Sequence, residues 1–248
     1  MKRDPQGDSF TSVADFYDHL MRLVPYGAWV RYLDTLCGKY GAEPTTLLDL
    51  ACGTGTVSLT YARRGVRVVG VDSSFSMLRV AARKMRPGGG KVLFVLQDAT
   101  NLSLTEHFDL CISLFDSLNY IIGADRLCAA FKGVARALKP GGLFLFDVNT
   151  IRALELNLFT QDNLGTDDWL QYSWVSHWDP ETRICRVEMD FDARGHKFHE
   201  THFQMGYEIE QISDLLRAAG FEVLDVFDAY RLVPVHARST RAFFAARK

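Results

Sequence analysis

The chain has 248 residues, 48% of them hydrophobic and 23% charged, with a formal net charge of −2. That length suits one α/β domain with an elaborated cap, and the mix is that of an ordinary globular protein. No tail or helix is strongly basic, so neither nucleic acid nor an anionic membrane is expected as a partner, and no run nears the ~18 apolar residues of a membrane span.

The first ten residues, MKRDPQGDSF, contain no apolar stretch and do not read as a signal peptide. Cys37, Cys52, Cys111, Cys128 and Cys185 are odd in number and form no CxxC, which points to reduced thiols in a cytoplasmic protein. Residues 12–37 read as helical, with Ser12 as N-cap and a break at Pro25. Thr46 to Leu50 reads as a strand ending in a Gly-rich turn, and Thr56 to Arg64 as a helix stopped by Gly65. Val66 to Val71 is almost wholly β-branched, as a strand buried on both faces should be. A helix over Phe75 to Met85 follows, then two more buried-strand candidates, Val92 to Leu96 and Phe108 to Leu114. A helix over Asp125 to Leu138 is closed by Lys139-Pro140-Gly141-Gly142, and Leu143 to Phe146 is a fifth strand. Such alternation implies a parallel sheet covered on both faces.

After Thr150 the period changes to two. Residues 169 to 207 read as an antiparallel meander, with turns at Asp179-Pro180 and Arg194-Gly195. Leu170, Tyr172, Trp174 and Trp178 share one strand face, and Cys185, Val187, Met189 and Phe191 another. On the third strand His199, Thr201, Phe203, Met205 and Tyr207 share a face, which leaves His196, Glu200 and His202 on the other. A helix resumes at Glu208, stops at Gly220, and is followed by strands over Phe221 to Phe227 and Arg241 to Ala245. The cations Arg238, Arg241, Arg247 and Lys248 read as a solvated chain end.

The chemistry-bearing segment is Leu47-Leu48-Asp49-Leu50-Ala51-Cys52-Gly53-Thr54-Gly55, a strand running into a glycine turn that opens a helix. Ligands of open α/β sheets bind beyond the carboxyl ends of the strands, and Gly53 and Gly55 remove Cβ atoms from that approach. A dinucleotide fingerprint would place a third glycine at position 58, where Ser58 stands. Asp49 is a poor neighbour for a pyrophosphate and a good one for a cationic ligand. Asp72, at the end of the next strand, can accept from both hydroxyls of a ribose. Asp98 follows the third strand and can accept from an adenine amino group. Asp109 to Tyr120 carries the fourth strand into a loop facing the reactive end of a cofactor.

In order and spacing these segments resemble the class I S-adenosylmethionine (AdoMet)-dependent methyltransferases, over roughly Thr46 to Asn149, with Lys139-Pro140-Gly141-Gly142 a further match. The resemblance implies a Rossmann-like seven-stranded, mostly parallel sheet ordered 3-2-1-4-5-7-6, strand 7 antiparallel, with an antiparallel β insertion after strand 5. It implies a single domain: a helical cap over 1–40, an AdoMet-binding core over 41–150, the insertion over 151–207 as substrate cover, and the last core elements over 208–248. It implies that Asp49, Ala51, Cys52, Gly53 and Gly55 line the methionine part of AdoMet, that Asp72 binds the ribose, and that Ser73 and Met77 pack near the adenine. Asp98 and Ala99 would hold the adenine edge, Leu114 and Phe115 would meet the methionine end through backbone, and Tyr17 and Trp29 would close over the cofactor.

The expected reaction is in-line methyl transfer to N or O of a small-molecule acceptor. A non-catalytic AdoMet sensor or scaffold, or a methyltransferase acting on tRNA or protein, are the alternatives. The group His196, His199, His202 and Glu200 does not converge as metal ligands should, so no metal is expected. A single histidine of that group could act as a general base, and no catalytic residue is assigned. The aromatic face of Tyr172, Trp174 and Trp178 suits core packing, an acceptor pocket or the contact of a homodimer.

Overall fold

The structure is a computed structural model and describes residues 10–104, 107–162 and 169–248. Positions 1–9, read above as lacking an apolar leader, lie outside the described residues, as do 105–106 and 163–168. The chain opens with helix α1 (Ala14–Leu20), a 3-10 turn (Met21–Leu23) and helix α2 (Tyr26–Lys39), broken at Pro25 as its fixed φ and missing N–H require. Ser12 is not the N-cap. Val13 holds that position with no side-chain cap, and the Ser12 amide donates instead to Glu200, 188 residues away.

Strand and helix then alternate through β1 (Thr46–Leu50), α3 (Thr56–Arg63), β2 (Arg67–Asp72), α4 (Phe75–Arg83), β3 (Val92–Leu96), β4 (Phe108–Ser113), α5 (Ala124–Ala137) and β5 (Leu138–Asn149). Short helix α6 (Ile151–Glu155) leads to a four-stranded antiparallel sheet of β6 (Gln161–Asp162), β7 (Leu170–Asp179), β8 (Ile184–Ala193) and β9 (His196–Met205). Helix α7 (Ile209–Ala218) and strands β10 (Glu222–Asp228) and β11 (Arg241–Arg247) complete the main sheet. Its order is β10-β11-β5-β4-β1-β2-β3, with β11 antiparallel to both neighbours. This is the expected Rossmann-like α/β arrangement, with the antiparallel sheet inserted after β5.

The main sheet is buried on both faces. Leu48, Leu50, Val69 and Val71 face α5 and α7, while Leu47 and Val68 face α2 and α3, as the two-residue period of a strand demands. Phe146 and Phe244, opposite each other on β5 and β11, stack with centroids 4.9 Å apart. A third apolar cluster joins Cys185, Val187, Met189 and Phe191 of β8 to Val13 and Leu154.

Three further expectations need correction. β3 is not a buried strand but the sheet edge, with Leu93 and Leu96 exposed, because among the described residues it pairs with β2 alone. The Lys139 to Gly142 segment is more than a helix stop. Lys139 reaches Asp109 at 2.5 Å, and Gly141 and Gly142 pair with the backbone of Lys248, which fastens the chain terminus. The terminal cations are not a solvated end either. Arg241 is half-buried against two carboxylates, Arg247 donates to the Tyr40 carbonyl, and Lys248 to that of Leu138. Among the described residues no helix is long and apolar enough to cross a membrane.

Candidate active site

The tips of β1, β2, β3 and β4 converge on one side of the main sheet, beneath α1 and the antiparallel sheet. A cavity of about 590 Å³ lies there. At the β1 tip Ala51, Gly53 and Gly55 all have positive φ, at 59°, 54° and 72°. A Cβ on Gly53 would meet nothing within 4 Å, so that backbone is open to a ligand. A Cβ on Gly55 would lie 2.6 Å from the Phe94 ring, and Gly55 does not border the cavity. Its glycine answers to packing and to the left-handed turn into α3 rather than to ligand approach.

Asp49 lies behind the loop, 4% exposed, and accepts from the Ser58 hydroxyl at 2.5 Å. It borders a side recess of about 60 Å³ with Cys52, Leu114 and Tyr26, which shares Tyr17, Trp29, Ala51, Gly53 and Phe115 with the main cavity. Burial, with a smaller push from Asp72, raises the Asp49 carboxyl to about 7 despite the Ser58 hydrogen bond. No cationic side chain contributes to its environment among the described residues.

Asp72 ends β2 and accepts the Gly53 amide at 2.7 Å and the Ser74 amide at 2.8 Å. It therefore ties the glycine loop to the neighbouring strand, a role not visible in spacing alone. Burial raises its carboxyl, and these amides oppose that shift. Each oxygen keeps acceptor capacity. Ser73, Met77, Asp98 and Ala99 also line the cavity. Asp98 doubles as the cap of a 3-10 turn (Ala99–Asn101), accepting from Thr100 at 2.7 Å, and faces Arg126 at 3.6 Å. Tyr17 of α1 borders both spaces, and burial pushes its phenol well up. Trp29 stacks on Tyr230 at 4.7 Å and contacts Phe115, so it is both core and wall.

Sequence reading missed the polar part of the site. Phe115 and Asp116, beyond β4, have successive positive φ values of 64° and 50°. Such backbone costs on the order of 1–3 kcal/mol per residue and needs external support. Asp147 of β5 supplies it, accepting both amides at 2.7 and 3.1 Å. Arg241 of β11 bonds Asp147 and reaches Asp116 at 2.9 Å, and Gln204 of β9 donates to Asp116 at 2.7 Å. Burial alone would lower the Arg241 guanidinium, but Asp147 and Asp116 together hold it above its ordinary value.

The inward side of β9 is the other surprise. Glu200, His202 and Gln204 are buried, while His196 and His199 are exposed. The register explains it: Gln204, His202 and Glu200 lie opposite Cys185, Val187 and Met189, the apolar face of β8. The alternation of β8 and the short turn at Arg194-Gly195 would have located that face, since directly paired residues share one. Of the aromatic set on β7, Tyr172 and Trp174 line the cavity, whereas Trp178 packs over Gly206.

A family model described as a methyltransferase domain matches residues 47–142, the segment that builds the strand tips. A protein of Geobacillus sp. (strain WCH70), named as a methyltransferase, is 32% identical over 97% of this chain and 100% of its own length. The crystal structure of an S-adenosylmethionine-dependent methyltransferase from Clostridium acetobutylicum ATCC 824 superposes with a TM-score of 0.85 at 31% identity, covering 96% of this chain and 98% of that one. The chain belongs to the S-adenosylmethionine-dependent methyltransferases. This methyltransferase is also 34% identical, over 57% of its length and 61% of the relative's, to a demethylmenaquinone methyltransferase of Thermobifida fusca (strain YX).

Proposed function

We propose that this enzyme transfers the methyl group of AdoMet to a nitrogen or oxygen of a small-molecule acceptor held under the antiparallel sheet. One observation carries the reading. A single cavity runs from Asp72 and Asp98 at the strand tips to an apolar wall of Tyr172, Trp174, Met189 and Phe191. Its volume of about 590 Å³ is in the range of small-ligand sites. Helices α1 and α2 and the strands of the antiparallel insertion serve as the cover of the acceptor end.

The residues present fit the cofactor. Asp49 is a buried carboxylate with no cationic partner among the described residues, and the ammonium of a methionine moiety supplies one. Gly53 leaves open the space that such a ligand needs. In this assignment Asp72 accepts from the ribose hydroxyls and Asp98 from the adenine amino group, with Ala99, Ser73 and Met77 along the adenine. Ala51, Cys52, Leu114 and Phe115 border the methionine end, Tyr17 and Trp29 cover it, and Gly55 acts only through the shape of the loop. When bound, AdoMet supplies an electrophilic methyl on a cationic sulfur. The protein aligns the acceptor with it and excludes water.

Among the described residues the buried indole N–H of Trp174 on this wall has no partner, which suits an acceptor molecule carrying a carbonyl or ether oxygen. The Thermobifida fusca relative, by its name, methylates demethylmenaquinone, and an apolar planar acceptor agrees with the aromatic wall here. Incubating the enzyme with methyl-tritiated AdoMet and separated small-molecule, tRNA and protein fractions of a bacterial extract tests the reading. Label is expected in the small-molecule fraction. Label confined to tRNA or protein would overturn it, and AdoMet binding with no label anywhere would favour a sensor.

Asp49 makes AdoMet affinity depend on pH. In the ligand-free protein its carboxyl titrates at about 7. A neighbouring ammonium lowers that value, so binding below it must expel a proton. Affinity is expected to weaken by about one decade per pH unit below the titration point, between roughly pH 7 and pH 5.5. Calorimetry in buffers of different ionisation enthalpy reads the released proton. Asp49→Asn should flatten the profile, and an equally steep profile in that variant would refute the assignment.

A further inference from the structure

The cavity wall carries a hydrogen-bonded chain that no cofactor contact uses. Tyr120 lines the cavity in the turn after β4, and its phenol oxygen lies 3.1 Å from His202 Nδ1. His202 Nε2 lies 2.8 Å from Glu200 Oε2. Glu200 also accepts three backbone amides, from Phe10 at 3.0 Å, Ser12 at 2.7 Å and Val13 at 3.0 Å. Burial pushes the Glu200 carboxyl up, but the His202 hydrogen bond and the Val13 and Ser12 amides outweigh it and hold the group below its usual value.

An anionic carboxylate only accepts, so His202 Nε2 carries a hydrogen toward Glu200. In the neutral ring Nδ1 is then a bare lone pair, and the Tyr120 hydroxyl donates to it. Having donated its proton to His202, the phenol oxygen keeps its lone pairs for a proton donor in the cavity. His202 is wholly buried, and the Phe10 ring covers it at a centroid distance of 4.4 Å. Tyr120 is therefore its link to the cavity.

We propose that Tyr120 is the catalytic proton acceptor for methyl transfer, passing its own proton to His202, which Glu200 positions. The proposal rests on the reading of the cavity as the seat of a small acceptor with an O–H or N–H. As the acceptor heteroatom bonds to the methyl carbon, the carbon–sulfur bond pair stays on sulfur. The acceptor proton moves to the Tyr120 oxygen while the Tyr120 proton moves to His202 Nδ1. The imidazolium so formed is balanced by Glu200, and after product release the proton leaves by the same route. No oxidant or further reactant is needed. The other titratable groups facing Tyr120 are Asp116, held by Arg241, together with Cys185 on β8 and Tyr17 on α1. Burial pushes the Cys185 thiol up to about 11 and the Tyr17 phenol higher than normal, so neither competes for the proton.

The test is the ionisation of 4-nitrophenol bound to the full chain saturated with S-adenosylhomocysteine, read from its phenolate absorbance against pH. The bound probe is expected to ionise at a pH at least about one unit below that of the free probe, a tenfold shift in its proton affinity. Tyr120→Phe, which keeps the ring packing, and His202→Gln should bind the neutral probe, at a pH about two units below its free ionisation, within about threefold and lose the shift, and Glu200→Gln should reduce it. A bound probe that stays neutral in the native protein, or one that ionises equally in both variants, overturns the relay and leaves the acceptor reading standing. Failure of the probe to bind, with S-adenosylhomocysteine binding intact, overturns the acceptor reading and the relay together.

Discussion

Asp72→Ala is expected to weaken AdoMet binding by about 10²–10⁴-fold, from the loss of two hydrogen bonds to a charged acceptor at about 1.5–3 kcal/mol each. The carboxylate also holds the Gly53 and Ser74 amides, so the variant loosens the loop that must lie against the ligand. The fold itself should suffer less. The group is half-buried with a carboxyl raised by desolvation, and removing that charge offsets part of the cost of the two freed amides. Asp72→Asn keeps one carbonyl oxygen for Gly53 and should give an intermediate loss of about tenfold. Isothermal titration with AdoMet and S-adenosylhomocysteine, with NADH as the non-binding control, makes the measurement. Unchanged affinity in Asp72→Ala would remove Asp72 from the site.

The largest loss of stability is expected from Arg241→Met, which leaves Asp116 and Asp147 buried without their shared cation. Breaking one partner out of a buried ion pair costs about 3–5 kcal/mol, or about 10 °C in Tm for a domain of this size. The pH dependence has a definite sign. Burial already raises the Asp116 carboxyl in the native protein, with Arg241 opposing the shift and Asp147 adding to it. Without Arg241 the folded-state value rises further above the unfolded one. The variant is therefore penalised most above that raised value and recovers stability as pH falls toward the ordinary carboxylate range. Urea unfolding at about pH 7.5 and about pH 5 should show the gap to the native protein narrowing on acidification, and Arg241→Met combined with Asp116→Asn should recover part of it at the higher pH. A gap independent of pH would mean that packing, not charge, sets the cost. The same variant should also bind AdoMet more weakly, because Asp147 would no longer be oriented to hold the left-handed backbone of Phe115 and Asp116.

Much of this protein was open to reading from residue order. The doubly covered sheet follows from apolar runs such as Val68 to Val71 alternating with amphipathic helices, because a strand with both faces buried has nowhere to place polar side chains. Asp49, Gly53, Asp72 and Asp98 could be singled out because strand ends and the turns after them are local, and a parallel sheet delivers all its carboxyl ends to one side. The change of period after Thr150 announced the antiparallel insertion for a similarly local reason. Gly55 shows the limit of that reasoning: its place in the motif is local, but the Phe94 ring that demands a missing Cβ comes from another strand.

What the sequence by itself determined, then, is the sheet, its insertion, the cofactor class and the carboxylates at the strand tips. Only the tertiary structure decided which polar groups are buried together. Arg241 looked like one cation of a basic chain end until the antiparallel pairing of β11 with β5 set it beside Asp147 and Asp116. Glu200 and His202 looked like an ordinary polar strand face until β9 lay along β8 and the segment from Phe10 to Val13 closed over it. The reason is physical. A buried charge is tolerable only where partners meet it, and decisive ones here come from far along the chain: Arg241 is 94 residues from Asp147, and the Phe10 amide 190 from Glu200, distances over which no local pattern carries information.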